Sequence, residues 1–174
     1  MTKPTIIVFL ILLAATNYTF GQNPCGIQID TVKILLDENL DSFLTSLKSE
    51  RFQTFNDKKN IPAIIKEQLD CLTKDQFSLA NPKEEYRCCC TSSQKLPKRQ
   101  LLFFSLSANT LLMTYLTGGD GVSTTILLAR LQDEKIIDIW TGYGFPKFRS
   151  KRKVIKYINS KRNIELGLHT YVSV

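Results

Sequence analysis

With 174 residues, 43% of them apolar and 22% charged, the chain has the composition of a globular protein and lies outside the disordered and fibrous classes. Its formal charge of +7 is gathered in one block near the C-terminus, so a general polyelectrolyte binder is excluded and nucleic acid is not an expected partner.

The N-terminus reads as an export signal. Met1-Thr2-Lys3 precedes the apolar run from Ile6 to Ala15, and the more polar stretch from Thr16 to Gln22 follows. Thr19 and Gly21 suit the positions before a cleavage point, so cleavage is expected after Gly21, with Ala15 as the second option. The chain then divides into a signal peptide (1–21), an α+β domain (22–146) and a basic C-terminal extension (147–174) packed on that domain or trailing it. The apolar run is about half of the roughly 20 residues that span a bilayer, and no later run approaches that length. No transmembrane span is expected, and the protein is placed outside the cytoplasm, periplasmic or extracellular. Gln22-Asn23-Pro24 is a poor approach to a lipidated cysteine, which argues against an anchor on Cys25.

In chain order, Ile27 to Leu36 suits either a short strand or a helix start. Leu40, Phe43, Leu44 and Leu47 then repeat at helical spacing. After the polar connector from Asn56 to Asn60, the stripe Ile61, Ile65, Leu69, Leu72 predicts a second helix, with Asn60 as N-cap, Pro62 in the first turn and an end near Thr73. Two helices so closely linked should pack on each other or side by side on a sheet. Phe77-Ser78-Leu79 suits a brief strand, Asn81-Pro82 a turn, Glu84 to Thr91 a strand, and Ser92 to Arg99 a loop.

From Leu101 to Gly142 four β-branched and aromatic runs are parted by Ala108-Asn109, by Gly118-Gly119-Asp120-Gly121 and by Gln132-Asp133-Glu134. The predicted fold class is therefore α+β: an N-terminal helix pair packed on a mainly antiparallel β-meander of at least four strands. Beyond it, Ser150 is placed to cap a basic helix carrying Val154, Ile155 and Ile158 on one side. Ile164, Leu166 and Leu168 alternate as a last strand would.

Asn81-Pro82, Glu85-Tyr86, Leu96-Pro97, Arg99-Gln100-Leu101, MTYLTGGDGVSTTILLARL and KIIDIWTG together resemble a family of small exported bacterial proteins with no assigned activity. The helices-then-sheet order is also similar to cystatin-like and NTF2-like folds, whose members include inhibitors, binding modules and enzymes. Neither resemblance implies a site or a substrate.

Five cysteines, Cys25, Cys71, Cys88, Cys89 and Cys90, are disulfide candidates, and their odd number leaves one over in a monomer. Cys25 or Cys71 could bridge to the triplet, giving one or two structural disulfides; buried thiols are the other reading. Contiguous cysteines on one strand cannot easily wrap an ion, so no metal is assigned, and no cofactor. His169 is the only histidine and has no sequence-local partner for catalysis. The glycine-rich turn lacks the Lys-Ser/Thr and the strand-to-helix context of a phosphate loop and reads as a hairpin.

Two groups of residues remain as candidates. Asp138, Trp140 and Tyr143, with Glu84 and Glu85 nearby, could line a ligand pocket if their side of the sheet is concave; otherwise Trp140 belongs to the core with Asp138 as its satisfied neighbour. Lys147, Arg149, Lys151, Arg152, Lys153 and Lys156, continued by Lys161 and Arg162, form a block without acidic residues, suited to an anionic envelope surface or an acidic protein partner. The expected function is accordingly an exported, non-enzymatic binding protein. The alternative is a small hydrolase or ligand-binding enzyme using carboxylates and Trp140 in a sheet-lined cavity.

Overall fold

Apolar residues occupy consecutive rather than alternate positions in 101–104, 111–113 and 126–129, and strands with that pattern need cover on both faces. The computed structural model describes residues 25, 27, 29–73, 76–88, 95–118, 121–162 and 169–170. In chain order the elements are α1 (Thr31–Leu35), α2 (Leu40–Ser49), β1 (Gln53–Phe55), a single 3-10 turn (Lys58–Asn60), α3 (Ala63–Leu72), β2 (Leu79–Ala80), β3 (Arg99–Leu106), β4 (Thr110–Thr117), β5 (Ser123–Gln132), β6 (Lys135–Gly144), α4 (Lys151–Lys161) and β7 (His169–Thr170). The four long strands pair antiparallel in sequence order, so the class is α+β with a meander at its centre.

Cross-strand register sorts the side chains onto two faces. Thr110, Leu112 and Thr114 of β4 stand opposite Arg130, Leu128 and Ile126 of β5, and Arg130 and Leu128 stand opposite Asp138 and Trp140 of β6. This first face is roofed by α1, α2 and α4. The Arg130 guanidinium donates to Ser46 Oγ (2.9 Å) and Ser42 Oγ (2.6 Å) of α2. From the stretch leading into α4, the Phe148 carbonyl accepts from the Thr114 hydroxyl at 2.9 Å. The second face carries Leu101, Met113, Tyr115, Leu127 and Ile139, all buried. There Phe77, from the segment after α3, meets Tyr115 edge-on at 5.4 Å.

The sheet edges are short-capped. β1 pairs antiparallel with β3 at 104–106 and β2 pairs parallel with it at 99–100, while β7 pairs with β6 at 142–143. Two- and three-residue edge strands offer little template for pairing with another chain.

The helices follow their sequence signals with some differences. α2 buries Leu40, Phe43, Leu44 and Leu47, the predicted stripe. α1 resolves the open reading of 27–36 as a helix, because the Asp30 carboxylate caps it by accepting from the Lys33 N–H. α3 starts at Ala63, with Pro62 extended at the N-cap position, while Asn60 closes the preceding 3-10 turn. The helix therefore begins later than the Asn60 cap predicts. Ser150 caps α4 as expected, and Val154 and Ile158 are buried.

Residues 84–88 are not a strand. Instead of a ladder, the Arg87 N–H makes one backbone bond, to the Pro97 carbonyl at 2.8 Å. Positions 89–91 of that expected strand lie outside the described residues, as do 164–168 of the expected last strand. Cys25 and Cys71 bridge to each other, with Cα atoms 5.4 Å apart, and not to the triplet. Cys71 sits in the last turn of α3, whereas Cys88 lies beside Gly118 at the β4–β5 end of the sheet. Cys89 and Cys90 lie outside the described residues.

Asp133 and Glu134 connect β5 to β6 with φ of 49° and 62°, both left-handed and neither a glycine. A two-residue hairpin turn of this kind favours Asn-Gly. Replacing Asp133-Glu134 by Asn-Gly is expected to raise the unfolding free energy by about 1–2 kcal/mol in urea titration, since both residues carry left-handed strain that Asn and Gly tolerate. Removing the bridge with Cys25→Ser/Cys71→Ser is expected to lower it by about 2–4 kcal/mol, because the closed loop of 46 residues restricts the unfolded chain. An unchanged midpoint in either case would contradict the assignment.

Candidate functional site

The basic block is divided by the packing of α4. Val154 and Ile158 fall on the buried side of the helix, and Arg152, Lys153 and Lys156 fall within about 100° of arc on the opposite side, all exposed. Lys147 and Arg149 are exposed on the approach to the helix, beside Phe145, which is 77% exposed. Other cations of the block turn inward or sideways. Lys151 Nζ lies 4.4 Å from the centre of the Phe52 ring, and Arg162 pairs with Asp41 of α2 through its two terminal guanidinium nitrogens. That hydrogen-bonded guanidinium holds the Asp41 carboxyl below its ordinary range. Hence five cations of the block, not eight, are exposed, three of them on one side of α4, with Lys161 half-buried at the helix end.

Asp138 and Trp140 share the first face, as strand alternation requires, and both hold the N-terminal helices in place. Lys33 Nζ lies 3.1 Å from Asp138 Oδ2, and the Asn39 amide donates to Asp138 Oδ1 and to the Ile139 carbonyl, each at 3.0 Å. The fully buried Trp140 donates its indole N–H to Asp37 Oδ1 at 2.7 Å. Asp37 has φ 55° and closes α1: its N–H bonds to Ile34 O and the next N–H, of Glu38, to Lys33 O. This closing motif usually takes glycine, and here the Asp37 carboxylate gains a buried donor in exchange. Glu84 lies on the outside, accepting from the Asn81 N–H at 2.7 Å, which lowers its pKa.

Tyr143 lies on the second face, one parity step away from Trp140. There it lines a cavity of about 280 Å³ together with Arg99, Tyr115, Thr117, Ser123, Thr125 and the Gly142 backbone. Two cross-strand rows build it: Arg99–Thr117–Ser123 and Tyr115–Thr125–Tyr143. Of these residues only Tyr143 stands out from sequence reasoning. The available signal was parity, since Thr117, Ser123 and Thr125 are neighbouring hydroxyls on adjacent strands that otherwise run apolar.

His169 pairs in register with Tyr143. Gly118 is a point of close approach: a Cβ there would stand 2.1 Å from the Arg87 carbonyl oxygen. Among the described residues no group of His, Cys, Asp and Glu is placed to hold a metal ion, and no helix is long and apolar enough to cross a membrane.

Asp37→Ala is expected to lower stability by about 2–4 kcal/mol, combining a buried indole N–H without an acceptor and an alanine at positive φ. Asp37→Asn keeps an acceptor and a residue tolerant of that φ, and should stay within about 1 kcal/mol. Trp140 is the sole tryptophan, so its fluorescence in urea reads both changes directly. No protein-family model, curated protein or solved structure matches this chain.

Proposed function

We propose that this is an exported, non-enzymatic protein that attaches to the anionic surface of the cell envelope through α4 and the segment leading into it. The observation that carries the reading is the run of exposed cations Lys147, Arg149, Arg152, Lys153 and Lys156 beside the exposed Phe145. Each lysine or arginine near an anionic membrane contributes about 1 kcal/mol, and an aromatic ring at the headgroup level adds apolar burial. Over the same sheet face, Val32 and Leu35 of α1 and the following Leu36 are exposed apolar residues. The signal-like N-terminus and a disulfide both suit a compartment outside the cytoplasm, where phospholipid and lipopolysaccharide headgroups are the abundant anions.

Co-sedimentation with vesicles tests it. Binding is expected to vesicles rich in phosphatidylglycerol and not to pure phosphatidylcholine, and to weaken as salt rises from about 0.1 to 0.5 M. The triple variant Arg152→Gln/Lys153→Gln/Lys156→Gln leaves the buried side of α4 intact and should weaken binding by roughly a hundredfold, what three surface charges at about 1 kcal/mol each supply. Undiminished vesicle binding by that variant, or equal binding to neutral vesicles, would refute the electrostatic attachment.

A further inference from the structure

In the strand order β1-β3-β4-β5-β6-β7 one long outer edge belongs to β6, and among the described residues β7 covers it at 142–143 alone. Side chains meet the edge further back. Gln68 of α3 takes both backbone groups of Ile136: its Oε1 accepts from the N–H at 2.7 Å, and its Nε2 donates to the carbonyl at 3.3 Å. Further along, the Asn39 amide donates to the Ile139 carbonyl at 3.0 Å. We propose that these two amides are edge locks, which keep a second copy of this chain from adding its own β6 to the sheet.

The chemistry of the lock is that of a strand. An outward-facing residue of an antiparallel edge presents its N–H and its carbonyl on the same side, and a neighbouring strand answers with one acceptor and one donor. A primary amide carries the same pair on one planar group, so Gln68 ends the ladder at Ile136 where a further strand would continue it. The edge it closes has a composition that pairs readily. Ile136, Ile137, Ile139 and Trp140 fall in one run, and Ile137 is 49% exposed. Asp138, the acidic residue of that run, is held by Lys33 and Asn39 and does not stand guard along the edge. Two copies of β6 meeting antiparallel would be related by a twofold axis, and each would supply what Ile136 and Ile139 of the other lack without their locks. Cys71 follows Gln68 by one turn of α3, and its bridge to Cys25 braces the helix that carries the lock. Gln68 and Asn39 belong to α3 and to the N-cap of α2, so the inference stands apart from the membrane attachment through α4.

Light scattering after gel filtration, with the native protein and its variants at one concentration, tests it. Gln68→Met keeps the length of the side chain and removes its amide; its molar mass is expected to rise about twofold over that of the native protein. Adding Ile137→Lys, which puts a charge on the exposed edge, should return the mass to the native value. A merely structural role for Gln68 would move the melting temperature and leave the mass alone. Fluorescence of Trp140 shows that each variant is folded. Gln68→Ala, which also lacks the amide and favours the helix, decides the matter if Gln68→Met does not fold. A folded Gln68 variant with the native mass, or a rise in mass that Ile137→Lys does not reverse, would overturn the proposal.

Discussion

Covering both faces of one antiparallel sheet is the constraint from which the other features of this protein follow. Once β3 to β6 are buried above and below, every polar side chain pointing from them must find a partner inside, because an unpaired buried polar group costs about 1–3 kcal/mol. On the first face most of that need is met by pegs reaching into the helical roof, Arg130 to two serines of α2, Asp138 to Lys33 and Asn39, and Trp140 to Asp37, while the buried Thr124 hydroxyl is left without a partner. These contacts join strands to helices about a hundred residues earlier in the chain, so they specify where α1 and α2 sit as well as neutralising buried groups. On the second face the polar positions gather at one end of the sheet, where they border a cavity.

The same separation organises the charge. α4 is amphipathic enough to be part of the roof, with Val154 and Ile158 inside, and its cations are left on the outer surface. Phe52 and Asp41 engage Lys151 and Arg162, which ties the two ends of the helix to the domain. In the proposed attachment the roof would face the envelope and the cavity would face away from it.

Several elements were legible in the amino-acid order because their signals are local. The meander announces itself by β-rich runs between turn residues, α2 by a four-residue apolar stripe, and the α4 cap by Ser150. Other elements were not, for identifiable reasons. β1 and β2 are too short to carry a period and exist because β3 offers them an edge. Gln68 clamps both the N–H and the carbonyl of Ile136, yet nothing in its neighbourhood in sequence distinguishes it from any polar residue on a helix. The stretch at 84–88 has strand-like composition, but its hydrogen-bonding groups are engaged one by one by Pro97 and Gln100. Cysteine pairing depends on which chain segments meet, and spacing alone left Cys25 and Cys71 free to choose the triplet.

By itself, the sequence determined the fold class, the order of the long strands, the amphipathic helices and the location of the basic block, since each rests on interactions within a dozen residues. Tertiary structure alone decided which side of the sheet each strand residue faces and what it meets there. Strand alternation is strict, but its phase is set by neighbouring strands and by the bulges at Leu101/Phe103 and Arg130/Leu131. That phase sends Trp140 into the core and Tyr143 to a cavity, and it brings Arg99 beside hydroxyls from two other strands, a meeting that no local pattern encodes.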